Sequence, residues 1–398
     1  MPESGDPDLA VSYHPCMAFP ENIHLFCRVV DNFGDIGVCW RLARQLVADH
    51  QTGVTLWVDD LASFQKICSG IDPQAVQQRQ EGVVVRRWDA SFGQPRAADV
   101  ADVVIEAFGC ALPHSYIAAM AARSPKPVWI NLEYLSAESW IEDCHAMQSL
   151  YPSLPLVKYF FFPGFSARTG GLMRENGLLE RRSAFQNDPP AMSSFLTGIG
   201  AQVPMPACRM SLFCYPDAPA GSLFDTLQAD PRPSVCFVPQ GVAQEAVHTF
   251  LQQPAEAGAR ATRGGLTVQV LPFLDQPDYD RLLWSCDVNF VRGEDSLVRA
   301  QWAARPFVWH IYPQEEAAHH VKLDALLDRY TAGMDQDTAQ AARAAWQAWN
   351  RRSDMGKCWG QFRNQLPRLA SHMAHWTEQL KQYSDLASNL IQFIRKIG

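Results

Sequence analysis

A glycine followed by two carboxylates and a hydroxyl is the part of this sequence best equipped for chemistry. Gly293, Glu294, Asp295 and Ser296 come directly after a short apolar run, and a helical pattern follows them. This order predicts a strand, a tight turn and the first turn of a helix. Free N–H groups at the start of a helix bind phosphate, and carboxylates accept hydrogen bonds from hydroxyls. The motif therefore suits a ligand with both groups, such as a nucleotide sugar.

A second loop, DNFGDIG at 31–37, carries the acids Asp31 and Asp35. It follows an apolar run at 23–30 and precedes an amphipathic helical pattern at 38–48. Alone, such a loop can be only a tight turn, in which glycine adopts unusual dihedral angles and aspartate caps a helix. Because both loops leave the carboxyl ends of predicted strands, we expect them to face each other across one cleft.

The spacing of apolar runs predicts the elements that position these loops. Strands are expected at 23–30, 54–58, 83–88, 103–106 and 127–132, and in a second series at 210–215, 234–238, 266–271, 288–291 and 306–311. Helical patterns fit between them, which predicts an α/β fold with two parallel sheets covered by helices on both faces. Such doubly wound, Rossmann-like domains bind ligands in the crevice outside the carboxyl ends of their strands.

A length of 398 residues favours two domains. Glycine and proline are frequent between residues 168 and 206, which predicts a connection there. The expected organisation is a loose tail at 1–20, a first domain at 21–185, a linker at 186–206, a second domain at 207–365 and C-terminal helices at 366–398. We expect the C-terminal helices to pack back on the first domain.

Composition and charge exclude several classes of protein. The formal net charge of −8 disfavours a general nucleic-acid binder, because phosphate contacts need an excess of basic residues. Eleven cysteines without a CxxC pair favour buried, reduced thiols in a cytoplasmic protein over a disulfide framework. The sequence has neither an apolar run that would span a membrane nor a signal-peptide pattern, so we expect no membrane partner.

A metal site is a further alternative. Pairs of acids occur at 59–60, 278–280 and 335–337. These pairs are more typical of solvated turns and helix starts. His310, His319 and His320 lack a third ligand at a spacing typical of zinc. We therefore expect no metal in this protein.

Four long blocks carry a resemblance to a known family. They are DNFGDIGVCWRLARQL (31–46), NLEYLSAESW (131–140), KYFFFPGFSARTGGLMRE (158–175) and RGEDSLVRAQWAARPFVWHIYPQEE (292–316). These blocks resemble the bacterial protein-arginine rhamnosyltransferases, which modify one arginine of translation elongation factor P. Four blocks in the expected order are specific, whereas a lone glycine loop would be a weak signal.

The resemblance implies a GT-B fold, in which two Rossmann-like domains face each other across a cleft. It implies an inverting glycosyltransferase that transfers L-rhamnose from dTDP-β-L-rhamnose without a metal or another cofactor. The implied acceptor is an arginine in the N-terminal domain of elongation factor P.

The resemblance also assigns site residues. The proposed catalytic acid is Asp35, and Asp31 is also functionally important in the family. Contacts with dTDP-rhamnose fall on Tyr215, Phe273, Gln276, Glu294, Asp295 and Ser296. The loop around Phe273 reads PFLDQ where the family has PFVPQ, and Phe273 and Gln276 keep their places.

The chemistry of the acceptor limits the role of Asp35. A guanidinium has a pKa above about 12 and an aspartate about 3.9, so deprotonation before attack is uphill by roughly 8 units, over about 10 kcal/mol. We therefore expect Asp35 to orient the guanidinium by charge-assisted hydrogen bonds and to take the proton late, as the C–N bond forms.

The residues assigned to dTDP-rhamnose suit different parts of that molecule. Glu294 suits sugar or ribose hydroxyls, because a carboxylate repels phosphate. Ser296 and the helix-start amides suit the diphosphate, with Arg292 or Arg299 nearby. Tyr215 and Phe273 suit stacking on thymine, although both also fit an ordinary aromatic core.

Two alternatives remain open at this point. The chain could be a GT-B glycosyltransferase with another acceptor. It could also be a non-catalytic, nucleotide-sugar-binding regulator, since a fold alone does not prove activity.

Overall fold

The strands of the first half form one eight-stranded sheet. Its strands are β1 Asn22–Cys27, β2 Gly53–Val58, β3 Gln77–Gln80, β4 Val83–Arg87, β5 Val103–Ala107, β6 Val128–Leu132, β7 Gln148–Leu150 and β8 Val157–Phe161. Their order in space is β3-β4-β2-β1-β5-β6-β8-β7, and only the edge strands β3 and β7 run antiparallel to their neighbours. The computed structural model describes residues 21–31, 33–89, 92–203, 206–314 and 318–398, so the tail expected at 1–20 lies outside the described residues.

The strands of the second half form a six-stranded sheet. They are β9 Cys208–Leu212, β10 Ser234–Pro239, β11 Arg260–Arg263, β12 Leu266–Leu271, β13 Val288–Arg292 and β14 Phe307–His310. Their order is β11-β12-β10-β9-β13-β14, with β11 antiparallel to β12 and the other pairs parallel. The predicted α/β architecture with two Rossmann-like sheets is confirmed.

Helices cover both sheets. They are α1 Gly34–His50, α2 Leu61–Ile67, α3 His114–Ala122, α4 Ile141–Cys144, α5 Leu178–Gln186, α6 Pro189–Gly198, α7 Ala220–Ala229, α8 Gln244–Leu251, α9 Gln276–Ser285, α10 Gly293–Trp302, α11 His319–Thr331, α12 Gln336–Asn350, α13 Trp359–Asn364, α14 Leu366–Lys381 and α15 Leu386–Ile397. Every residue of β5, β6, β10 and β12 is buried, as expected for strands covered on both faces. No described helix has the length and apolar character needed to cross a membrane.

All the strands predicted from apolar runs are present, with ends that differ by a few residues. The sequence did not predict β3, β7, β8 and β11. β3, β7 and β11 are short edge strands, and every side chain of β7 is exposed. An edge strand of this kind has no buried face, so its sequence lacks the apolar run that marks an interior strand.

The segment predicted as a linker contains a helix. α6 begins after Asp188, whose side chain accepts a hydrogen bond from the Ala191 N–H at 3.0 Å, and prolines occupy its first positions. The prolines that suggested a break in the chain therefore mark the start of a helix.

The C-terminal helices contact both domains. α14 packs on α10, where the Trp376 indole N–H donates to Gln301 Oε1 at 3.0 Å. α15 packs on the first domain, and the Leu386 N–H donates to the Leu172 carbonyl at 3.0 Å. The last segment of the chain therefore ties the two sheets together behind the cleft.

Candidate functional site

The two loops singled out in the sequence meet across the cleft between the sheets. The first loop connects β1 with α1, and the second connects β13 with α10. The Tyr215 hydroxyl of the second domain donates to Asp31 Oδ2 of the first at 2.5 Å. The Leu135 N–H of the first domain donates to Glu294 Oε2 of the second at 3.0 Å. The two loops therefore face each other across one cleft, as expected from the sequence.

Asp35 lies in the first turn of α1 and is 2% exposed. Its Oδ2 accepts hydrogen bonds from the N–H groups of Val30 at 2.8 Å and Asp31 at 2.9 Å. The other oxygen, Oδ1, lies 3.4 Å from the Tyr134 hydroxyl. Burial raises the pKa of Asp35, and the two backbone N–H groups offset part of that rise. One carboxylate oxygen thus holds the loop, while the other faces the cleft.

Asp31 lies between the two domains. Burial raises its pKa, while the Tyr215 hydroxyl and the charge of Arg292 act in the opposite direction. The Gly293 Cα lies so close to this carboxylate that an added Cβ would come within 2.9 Å of Asp31 Oδ2. Gly293 also has a φ of +63°, in the left-handed region that favours glycine.

We expect Gly293→Ala to lower both thermal stability and turnover. The left-handed backbone costs a residue with a Cβ about 1–3 kcal/mol, and the Cβ would displace the Asp31 carboxylate. Thermal melts and initial rates measure the two effects. Gly333→Ala is the matched control, because Gly333 also has a left-handed φ, of +81°, and a Cβ there meets nothing within 4 Å. Equal behaviour of the two variants would contradict the close packing around Asp31.

A cavity of about 710 Å³ opens between the two loops. Its lining includes Asp31, Asp35, Glu294, Tyr134, Trp309 and Lys322. Burial raises the pKa of Glu294 to about 8, with smaller contributions from the Leu135 N–H and Lys322, which lower it, and from Asp35 and Asp31, which raise it. The three acids line one cavity that is open to solvent on one side, and their carboxyl groups suit a cationic or hydroxyl-rich ligand.

A second cavity, of about 580 Å³, adjoins the first on the side of the second domain. Aromatic side chains supply much of its lining: Phe33, Phe213, Phe273 and Tyr279. Arg292 lies beside them, with its guanidinium 4.7 Å from the centre of the Phe213 ring and 4.6 Å from that of Tyr215. Planar apolar walls beside a cation and a helix start suit a nucleobase joined to a phosphate.

Tyr215 and Ser296 make contacts that the sequence did not reveal. The Tyr215 hydroxyl donates a hydrogen bond to Asp31, and the Arg292 guanidinium covers a face of the Tyr215 ring. The Ser296 hydroxyl donates to the Arg292 carbonyl and accepts from the Arg292 N–H at 3.0 Å. In this geometry Phe273 is better placed than Tyr215 to stack on a base. The Ser296 hydroxyl is therefore occupied by its own helix start.

Asp295 and Gln276 bind the first domain. Asp295 Oδ1 accepts from Arg41 Nε at 2.6 Å, and its Oδ2 accepts from Gln276 Nε2 at 3.0 Å. The Gln276 amide also donates to the Gly37 carbonyl at 3.0 Å and accepts from Arg44 at 2.9 Å. Asp295 lines the aromatic cavity, and the polar atoms of both residues bridge the domains.

Tyr134 follows a strand of the first domain and lines the cavity beside Asp35, where the sequence favours an acceptor-side residue. Arg41 lies on α1, is 2% exposed and is bonded to acids of the second domain. The Tyr134 ring stacks on Phe108, with centroids 4.4 Å apart, and thereby forms a wall beside Asp35.

Arg299 and His310 line neither of the two cavities described above. Arg299 is buried and bonded to Asp280 and Glu175, so it is not positioned to meet a diphosphate. His310 Nδ1 accepts from the Tyr215 N–H at 3.3 Å, and burial lowers the pKa of His310 to about 4. This histidine is therefore a neutral structural group. Among the described residues, no cluster of three or more His, Cys, Asp or Glu side chains has the arrangement of a metal site.

Comparisons with known proteins agree with this geometry. The family described as Elongation-Factor P (EF-P) rhamnosyltransferase EarP matches residues 23–395. A protein-arginine rhamnosyltransferase of Pseudomonas putida is 50% identical over 93% of this chain and 98% of its own length. The protein of the same name from Pseudomonas aeruginosa is 47% identical over 93% of this chain and 97% of its own length. A solved structure described as the structural basis for EarP-mediated arginine glycosylation of translation elongation factor EF-P is 37% identical, with a TM-score of 0.68, and the match covers 95% of this chain and 99% of that one.

Proposed function

This chain belongs to the elongation factor P rhamnosyltransferase family, and we propose that it transfers L-rhamnose from dTDP-β-L-rhamnose to one arginine of translation elongation factor P. The observation that carries the proposal is the cavity lined by Asp31, Asp35 and Glu294. A guanidinium is planar, cationic and rich in N–H donors, so it matches a pocket rich in carboxylate oxygens.

The second domain supplies the groups that a dTDP-sugar needs. Thymine fits the aromatic cavity beside Phe273, and the diphosphate fits between Arg292 and the first N–H groups of α10. The sugar then extends toward Glu294, whose carboxyl group is suited to its hydroxyls. Negative charge grows on the departing dTDP in the transition state, and preorganised N–H donors and the Arg292 guanidinium stabilise it.

The first domain supplies the groups that hold the attacking nitrogen. Asp35 Oδ2 is fixed by two backbone N–H groups, so Oδ1 is left to accept from the guanidinium. The nitrogen attacks the anomeric carbon from the face opposite dTDP, the C–O bond to dTDP breaks, and the configuration inverts. As the C–N bond forms, that nitrogen becomes acidic and its proton passes to Asp35.

The acceptor protein would reach this cavity from the solvent side. Val30 and Tyr312 line the same cavity and are 63% and 43% exposed, respectively. An arginine on a protruding loop can insert between them, with the surrounding surface of the acceptor resting on both domains. The proposed acceptor is therefore a folded protein rather than a membrane lipid.

The direct test is incubation of the purified chain with elongation factor P and dTDP-rhamnose, followed by peptide mass spectrometry. We expect a mass increase of one deoxyhexose on a single arginine. An elongation factor P variant with lysine at that arginine is the control and should gain no mass. Sugar transfer to another acceptor alone would support a different glycosyltransferase, and binding of the donor without transfer would support a regulator.

A further inference from the structure

A buried ionic cluster joins the two domains beside the candidate site. It consists of Arg41 on α1, Glu175 in the loop before α5, Asp280 on α9, and Asp295 and Arg299 on α10. Both arginines are 2% exposed and Asp280 is 5% exposed. The cluster is thus a set of fixed charges between the domains rather than a solvated surface network.

Asp280 is the centre of the cluster. Its two oxygens accept from Arg41 Nη1 and Nη2 at 3.1 and 3.0 Å. The same two oxygens accept from Arg299 Nε and Nη2 at 3.0 and 2.7 Å. Arg299 also donates to Glu175 at 2.7 Å. Burial alone would raise the pKa of Glu175, but the charges of Arg299 and Arg41 lower it to about 2.

Stability is a weak explanation for this arrangement. Removing charged groups from water costs several kcal/mol per ion, and well-packed apolar residues often stabilise a fold as well as a buried ion pair. What a buried, bidentate network supplies is one defined geometry, because each guanidinium fork fits its carboxylates in one orientation. The cluster therefore fixes how the two domains lie against each other.

The helices that the cluster joins are the ones that carry the candidate site. α1 holds Asp35 in its first turn and Arg41 further along, while α10 holds Glu294 and Asp295 in its first turn. Arg41 Nε reaches Asp295, the residue next to Glu294, at 2.6 Å. A shift of Arg41 would therefore move the donor side of the cleft relative to Asp35.

We propose that Arg41 is a positioning residue. It fixes α1 against α9 and α10, so that Asp35 and Glu294 can contact the acceptor arginine and the donor sugar at the same time. This inference rests on the function proposed above. Lysine cannot replace Arg41, because one ammonium group cannot reach Asp295 and both oxygens of Asp280 in the same fork.

Arg41→Lys should lower kcat by about tenfold to a hundredfold, since misplacement of reacting groups by about 1 Å costs on that order. The KM for dTDP-rhamnose should rise by a smaller factor than kcat falls, because Phe213, Phe273 and Arg292 all belong to the second domain and keep their places relative to one another. Hydrogen exchange of the Leu135 N–H, which donates across the cleft to Glu294, should become faster, because that hydrogen bond depends on how the domains lie against each other. These measurements separate positioning from a general loss of stability.

Arg363→Lys is the matched control. Arg363 is also a buried arginine, 8% exposed, and donates to Asp230 at 3.0 Å, remote from the cleft. We expect both variants to melt at a lower temperature than the wild type. Only Arg41→Lys should lose turnover and speed hydrogen exchange of the Leu135 N–H. Equal losses of turnover in the two variants would overturn the proposal.

Gly37→Ala tests the same contact without removing a charge. A Cβ at Gly37 would lie 3.1 Å from Asp295 Oδ2 and 3.3 Å from Gln276 Nε2, so it would push α1 away from the second domain. Alanine favours a helix more than glycine does, so the helix itself is not weakened. We expect lower kcat with little loss of thermal stability.

The two proposals fail in different ways. A wild-type protein that transfers no sugar to elongation factor P would defeat the proposed function. Unchanged hydrogen exchange of the Leu135 N–H in both Arg41→Lys and Gly37→Ala would defeat the positioning role, whatever the wild type transfers. Unchanged kcat in both variants beside an active wild type would defeat it as well.

Discussion

Asp35→Asn should lower kcat by about a thousandfold while leaving the affinity for dTDP-rhamnose close to that of the wild type. The asparagine oxygen can still accept from the N–H groups of Val30 and Asp31, so the β1–α1 loop should keep its shape. The amide nitrogen then takes the place of Oδ1. It can neither accept a hydrogen bond from the guanidinium nor take its proton.

Donor affinity by calorimetry and turnover by mass spectrometry separate the two roles of Asp35. Asp59→Asn is a close control, because Asp59 also holds the end of β1 by accepting from the Val29 N–H, at 2.9 Å. We expect Asp59→Asn to keep turnover within a few-fold of the wild type. If Asp35→Asn also abolished donor binding, Asp35 would be a folding residue rather than a catalytic one.

The loops of the site were predictable because their contacts are local. Asp35 is only five and four residues from Val30 and Asp31, whose N–H groups donate to it. The order of strand, glycine, acid and helix can be predicted from the sequence alone. The parallel sheets were predictable for a similar reason, since interior strands need apolar residues on both faces.

The interdomain contacts were not predictable in this way. Arg41 is 254 residues from Asp295 and 239 residues from Asp280, so nothing near it in the sequence reveals a partner. An arginine on the polar edge of an amphipathic pattern is usually solvated. Ser296 shows that a local pattern can also mislead. Its position at a helix start suits a hydrogen bond to phosphate, whereas its hydroxyl bonds to the backbone of Arg292, four residues earlier.

The three acids that line the cavity lie together although their burial disfavours their ionised forms in the ligand-free protein. Burial raises the pKa values of Asp31, Asp35 and Glu294, so the ionised forms are disfavoured while the site holds no cation. A guanidinium would relieve this penalty on binding. Selectivity for arginine over a neutral side chain then follows from the relief of carboxylate repulsion as well as from hydrogen bonding.

Glu294→Gln should stabilise the ligand-free protein at high pH and lower its turnover by about a hundredfold. The pKa of Glu294 in the folded protein is about 8, above the ordinary value of 4.5. Protonation of Glu294 therefore favours the folded state. That contribution is complete below the ordinary pKa and is lost as the pH rises through 8. Glutamine does not ionise, so it does not suffer this loss.

Thermal melts between pH 5 and pH 9, on either side of the Glu294 pKa of about 8, test whether ionisation of Glu294 destabilises the folded protein. The melting temperature of Glu294→Gln should exceed that of the wild type by an amount that grows with pH, up to several degrees. Glu180→Gln is the control, because Glu180 also lies in the first turn of a helix but is exposed, so its difference from the wild type should stay flat. If the difference in melting temperature between Glu294→Gln and the wild type shrank with rising pH, the Glu294 carboxylate would already be ionised and stabilised in the empty cavity. Any loss of turnover would then reflect only the contact with the sugar that we propose for Glu294.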